Sequence, residues 1–131
     1  MAADLPVSPL LSVVLVNFND GAHIEKCLSS VIRNAAGIES EILVVDNRSD
    51  DGSPELVERR FPRVRLIRNR ENAGFSKANN RAIRESRGEF VLILNTDTEL
   101  FPGTLGPLID EMTGHPSTGI AGPALLNARN G

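Results

Sequence analysis

The stretch ILNTDTEL, Ile93 to Leu100, closes the most hydrophobic run of the chain. That run climbs from Glu89 through Phe90, Val91, Leu92, Ile93 and Leu94, and then stops at Asn95, Thr96, Asp97, Thr98 and Glu99. A short continuous apolar run bounded by polar residues reads as a strand buried on both faces. Its oxygen-rich end serves either a turn or a metal ion, and the rest of the sequence must decide between them.

The same pattern recurs on both sides of this stretch. Leu10 to Val16 (LLSVVLV) is a buried strand broken by Asn17, Phe18, Asn19, Asp20 and Gly21. Glu41 to Val45 (EILVV) ends on Asp46 and Asn47, and Val64 to Ile67 ends near Arg68 and Asn69. Helical patterns lie between. Ile24, Leu28, Val31, Ile32 and Ala35 share one face, with Asp20 as the cap and Gly37 past the end. Ser53 and Pro54 read as an N-cap and first helical residue of a helix ending near Arg60. Further helices are expected over Ser76–Ser86, stopped by Gly88, and Thr104–Met112, with a fifth strand starting at Thr118–Ala121. Alternating strand and helix implies an α/β domain of three layers, α/β/α, with a mainly parallel sheet covered on both faces.

Composition narrows the function. The 131 residues are 40% apolar and 24% charged, which suits one globular domain. Five Phe with no Trp or Tyr give few stacking platforms, and a net charge of −3 gives no overall attraction to nucleic acid or an anionic membrane. Arg59, Arg60, Arg63, Arg65, Arg68 and Arg70 form a local basic run that reads as a solvated face. The single Cys27, at helical spacing with Ile24, Leu28 and Val31, reads as a buried hydrophobe rather than a reactive thiol. It permits a reducing compartment, and no run reaches the roughly 18 apolar residues of a membrane span. Residues 1–9 read as a disordered lead-in without signal-peptide features.

Parallel sheets bind ligands outside the carboxyl ends of their strands. Here those ends carry Asn17 and Asn19, Asp46 and Asn47, Asn69 and Asn72, then Asn95 and Asp97. Four polar ends on one edge point to a site. Asn17-Phe18-Asn19-Asp20-Gly21 lacks the Gly-x-Gly-x-x-Gly of a dinucleotide fold, and no Gly-Lys-Ser/Thr marks a phosphate loop. His23 and His115 have no cysteine partners at zinc spacing and read as surface residues.

Four motifs in order carry a resemblance: VVLVNFN (Val13–Asn19), ILVVDNRSDDGS (Ile42–Ser53), NRENAGFSKANN (Asn69–Asn80) and FVLILNTDTEL (Phe90–Leu100). Together they resemble the inverting, nucleotide-sugar-dependent glycosyltransferases of family two, with the GT-A fold. The closest flavour is that of rhamnosyltransferase-like members, whose metal motif is often Asn-x-Asp. The resemblance implies a donor site for a UDP- or dTDP-sugar. Asn17 and Asn19 would border base and ribose, and Asp46, with Asn47 beside it, would accept a hydrogen bond from the base imide. Asn72, Ala73, Gly74 and Asn79 would line the rest of the nucleotide, with Asn95 and Thr96 nearby. Lys77 and Arg81 are weaker candidates for the diphosphate. Asp97 would hold Mg²⁺ or Mn²⁺, because such hard ions use one or two carboxylates plus phosphates and water. Asn95, an amide where an acid is commoner, would reach metal, water or sugar.

The resemblance also implies an acceptor half with the catalytic base, which is expected beyond Gly131. Asp110 and Glu111 make poor bases, and the end at GPALLNARNG (Gly122–Gly131) suggests an expressed fragment whose sugar transfer is undetectable. The implied partners are a nucleotide-diphospho-sugar and a glycan or lipid-linked acceptor. Membrane contact is expected only through that acceptor or the missing region, in the cytoplasm or at the inner membrane face. A non-catalytic nucleotide- or metabolite-binding module is the alternative.

Overall fold

Four parallel strands, β1 (Leu11–Asn17), β2 (Ser40–Asp46), β3 (Arg65–Arg68) and β4 (Phe90–Asn95), form one sheet in the order β3-β2-β1-β4. The computed structural model describes residues 8–122. The lead-in expected over residues 1–9 therefore falls outside the described residues except for Ser8 and Pro9. β1 sits between two neighbours and all seven of its residues are buried, as its unbroken apolar run requires. β3 is a short edge strand whose Arg65 and Arg68 turn outward, a charge pattern that discourages pairing with another chain.

Helices α1 (Ile24–Asn34), α2 (Ser53–Arg60) and α4 (Leu105–Gly114) follow β1, β2 and β4, and α3 (Phe75–Glu85) follows β3. On one face, Ile24, Leu28 and Val31 of α1, Val57 of α2 and Leu105 of α4 pack with Leu11, Val13, Leu15 and Val44. On the other face α3 places Ala78 and Ala82 against Val14, Val16, Leu43, Val45 and Ile67. Small alanines let this helix lie close to the sheet. Each fully buried Val or Leu contributes about 1.5–3 kcal/mol relative to exposure, so these two clusters carry the stability.

Cover on the second face stops at β4. Val91 and Ile93 are level with Ser12 and Val14, on the α3 side, yet Ile93 is 52% exposed. The expectation of a sheet covered on both faces thus holds for β1 and β2 and fails at this edge.

The expected fifth strand is not formed within the described residues: Thr118–Ala121 has no ladder partner there, and Ile120 is 93% exposed. Strand geometry needs a pairing edge or a buried face, and these residues have neither. Asp20 does not cap α1 with its side chain; its carbonyl accepts from the His23 and Ile24 amides while the carboxylate turns elsewhere. Ser53 is likewise the first residue of α2 rather than its cap, and Gly52 at φ 81° precedes it. Gly88 does not terminate α3, which ends at Glu85. A Cβ on Gly88 would stand 2.5 Å from the Ser12 amide nitrogen, so glycine is needed for the approach to β1.

Candidate functional site

The parallel register brings the polar strand ends level. Asn17 lies opposite Asp46, Val16 opposite Asn95, and Asp46 opposite Arg68. After β1 the chain moves outward to β2 and β3, and then returns to the other side of β1 for β4. The switch point lies between β1 and β4, and in such sheets ligands bind in the crevice at that point. A cavity of about 430 Å³ opens there, lined by Val16, Phe18, Asp20, Asn47, Asn72, Gly74, Phe75, Asn95, Thr96 and Asp97. A larger cavity of about 790 Å³ lies between the C-terminal ends of α1 and α2, with Ile32, Ile38, Phe61 and Val64 in its wall. It lies at the amino end of β2, away from the carboxyl ends of the strands where ligands bind, so the smaller cavity is the candidate site.

Six of the residues expected at the site, Asn47, Asn72, Gly74, Asn95, Thr96 and Asp97, line this cavity. The other four, Asn17, Asn19, Asp46 and Asn79, lie outside its lining. Asp46 is 2% exposed. Its carboxylate accepts from Asn17 Nδ2 at 2.8 Å, from the Ser49 amide at 2.9 Å and from Ser49 Oγ at 2.7 Å. Three protein donors thus hold its two oxygens, and the side chain lies outside the cavity lining. Asn17 is a hub: its amide also donates to Ser53 Oγ at 2.7 Å, and its Oδ1 accepts from the Asp20 amide. Asn19, at φ 52°, ties the loop after β1 to the loop after β2 through Ser49 Oγ and the Asp50 amide.

The loop entering α3 is clamped from β2. Asn47 Oδ1 accepts from Asn69 Nδ2 at 2.8 Å and its Nδ2 donates to the Gly74 carbonyl at 3.2 Å. Asn72 Oδ1 accepts from the Gly74 amide at 2.9 Å. Gly74 has φ 84° and ψ 167°, a conformation open essentially to glycine alone. Arg81 donates to Asn69 Oδ1 and to Glu85, so it braces this loop instead of facing the cavity. Asn79 is buried, and its Oδ1 has no hydrogen-bond partner among the described residues.

The Asn95–Thr98 turn is held beneath β4. The Asn95 carbonyl accepts from the Thr98 amide and hydroxyl, and Cys27 Sγ approaches it at 3.5 Å. Burial pushes the Cys27 thiol up to about 11, with Asp97 and Asp20 adding to the rise against hydrogen bonds from Thr98. That agrees with its reading as an inert buried residue. Asp51 braces the adjacent loop. Partial burial opposes its ionisation, but bonds from Ser53 and the Gly21 amide hold it below the usual carboxylate range. The arginine run forms a solvated face: Arg60 pairs with Glu25, Arg65 with Glu85, and Arg68 with Glu55 and Glu58.

Four cavity residues escaped the sequence reading as site residues: Val16, Phe18, Asp20 and Phe75. The two phenyl rings are about half exposed, and large apolar groups left open beside asparagines were the available signal. Asp20 and Asp97 are the ionisable side chains of the lining among the described residues. The Asp97 carboxylate and the Asn95 amide offer hard oxygen donors suited to Mg²⁺ or Mn²⁺, whereas both Asp20 oxygens already face Thr96 and His23. No group of three or more His, Cys, Asp or Glu among the described residues could hold an ion by itself. Phosphate oxygens from a ligand would have to complete the shell.

Comparison with known proteins gives the same picture. The model for glycosyl transferase family 2 matches residues 12–127. The N-acetylglucosaminyl-diphospho-decaprenol L-rhamnosyltransferase of Mycobacterium tuberculosis is 32% identical over 130 residues, covering 91% of this chain and 42% of that protein. Another M. tuberculosis protein, uncharacterized, is 35% identical over 117 residues, 88% of this chain and 36% of its own length. The chain thus spans well under half the length of these curated relatives. Among solved structures, mannosyltransferase PcManGT from Pyrobaculum calidifontis, in complex with GDP-Man and Mn²⁺, has TM-score 0.70 and 27% identity, covering 83% of this chain and 35% of that one. S. aureus TarS 1-349 has TM-score 0.73 at 24% identity, over 90% of this chain and 38% of TarS, and supports the GT-A fold. With its family model spanning nearly all of the sheet and its helices, this chain belongs to glycosyl transferase family 2.

Proposed function

We propose that this chain is the donor-binding part of an inverting glycosyltransferase that holds a UDP- or dTDP-sugar together with Mg²⁺ or Mn²⁺. The observation that carries the reading is the cavity at the β1–β4 switch point, walled by Asp20, Asn95, Thr96 and Asp97. Asp97 and Asn95 would hold the ion, which as a Lewis acid neutralises charge on the departing diphosphate. Phe18 and Phe75 supply apolar surface for base or ribose, and the clamped Asn72–Gly74 loop shapes the opposite wall. Asn17, Asn19 and Asp46 serve the nucleotide indirectly by holding that edge rigid, which limits the ordering cost of binding. Asn79, with its unpaired Oδ1, is the remaining candidate for a contact made only in the bound state.

The acceptor is a glycan or lipid-linked saccharide, in keeping with the rhamnosyltransferase relative, whose name specifies a diphospho-decaprenol substrate. Asp110 and Glu111 lie on α4, outside the cavity lining, so the base that deprotonates the acceptor is assigned to the acceptor-binding part of the whole enzyme. No helix among the described residues is long and apolar enough to cross a membrane. The proposed setting is the cytoplasm or the inner membrane face, reached through the acceptor.

Titration of the chain with uridine diphosphate in Mn²⁺ and in chelator tests the reading. Affinity should be higher in Mn²⁺, Asp97→Asn should remove that gain, and Asn95→Ala should reduce it less because an amide brings no charge. Binding that ignores the metal would favour a non-catalytic binding module instead.

A further inference from the structure

Asp20 has no assigned role, yet it is the one carboxylate on the β1–α1 loop that reaches the cavity. Its Oδ2 accepts from Thr96 Oγ1 at 2.5 Å, across 76 residues of sequence. Its Oδ1 lies 2.6 Å from His23 Nδ1, so neither oxygen is free to turn away. Thr96 is 8% exposed and is the middle residue of Asn95-Thr96-Asp97. A buried hydroxyl with a charged acceptor makes one of the stronger kinds of hydrogen bond, and it orients the backbone on both sides. The Asp20 amide, in turn, approaches Asn17 Oδ1, which belongs to the network bracing the ends of β1 and β2.

We infer that Asp20 is a positioning residue for Asp97: through Thr96 it fixes the turn that presents the metal-holding carboxylate, and it couples that turn to the β1–α1 loop. The inference rests on the metal–diphosphate reading given above. It separates Asp20 from a metal ligand, because a positioning residue needs an acceptor oxygen, whereas a ligand to the ion needs the charge. Asp20→Asn keeps the acceptor and should keep most of the Mn²⁺ gain. Asp20→Ala and Thr96→Val both delete the bond.

The experiment is calorimetric titration with uridine diphosphate in Mn²⁺ and in chelator, with circular-dichroism melting to confirm that each variant is folded. Asp20→Ala and Thr96→Val should each lower the Mn²⁺ gain in affinity about three- to tenfold, the range set by one lost hydrogen bond. The double variant should lose no more than either single one, and Thr96→Ser, which keeps the hydroxyl, should retain the gain. If the Ala and Val variants do not fold, Asp20→Asn and Thr96→Ser carry the test. Loss of the gain in Asp20→Asn as complete as in Asp97→Asn would make Asp20 a ligand and overturn the inference. So would losses that multiply in the double variant, or an undiminished gain in folded Thr96→Val, while Asp97→Asn still removes it. A native chain without any Mn²⁺ gain would overturn the donor-site reading and this inference together.

Discussion

Asp46 closes β2 on a carboxylate that three protein donors already hold. The sequence puts a carboxylate at the end of a buried strand, where a ligand-facing acid is expected, and the structure leaves it at that strand end. Ser49, three residues on, supplies two of its donors within the same loop; what no local pattern reveals is the third, from Asn17 at the end of β1. Asp46→Asn should therefore act first on stability. An amide retains one acceptor but turns its NH₂ against existing donors, leaving buried groups unpaired at a cost of about 1–3 kcal/mol. Urea unfolding of both proteins measures this. Unchanged stability with weakened nucleotide binding would return Asp46 to the ligand. Asn79 is the opposite case, with a buried Oδ1 that has no partner to lose, so its replacement by Ala should disturb the ligand-free fold less.

Among the elements, periodicity located every strand and helix of the described sheet to within two residues at each end, except the fifth strand. The misses were at the caps and stops. Asp20, Ser53 and Gly88 have the residue types of helix punctuation, but each is recruited by a distant segment: Thr96, Asn17 and Ser12 respectively. Gly88→Ala isolates one of these. Its Cβ would meet Ser12 backbone and hydroxyl at 2.5 Å, and backbone cannot step aside cheaply. The expected cost is about 1–3 kcal/mol of overpacking, read as a lower thermal midpoint. A glycine that only stopped a helix already ended at Glu85 would lose nothing on gaining a methyl group.

For the whole molecule, the two faces of the sheet are unequally finished. Three helices supply the core on one face, while α3 alone covers β1 and β2 on the other, leaving Val91 and Ile93 open on β4. Buried Val14 and Val16 contribute to stability in a way these two do not. Replacing Val91 and Ile93 together by Thr, a good strand former, should change the unfolding free energy by less than about 1 kcal/mol. It should also reduce self-association at high concentration, measured by light scattering. A large loss of stability would mean that these side chains are packed in solution.

The order of elements, the parallel α/β architecture and the polar edge of the sheet were all legible in the chain of residues alone. Those follow from local rules: buried strands need unbroken apolar runs, helices need a stripe, and parallel strands put their carboxyl ends on one side. The motif order also carried the family, which the match over residues 12–127 confirms. Which polar strand-end residues face the cavity and which face each other became visible only in the folded chain. Donor and acceptor pairing depends on segments tens of residues apart, as with Asp20 and Thr96 or Asn17 and Asp46, and no periodicity encodes that distance. The same physics placed the cavity between β1 and β4 rather than at the other strand ends, because the chain reverses its direction of winding there.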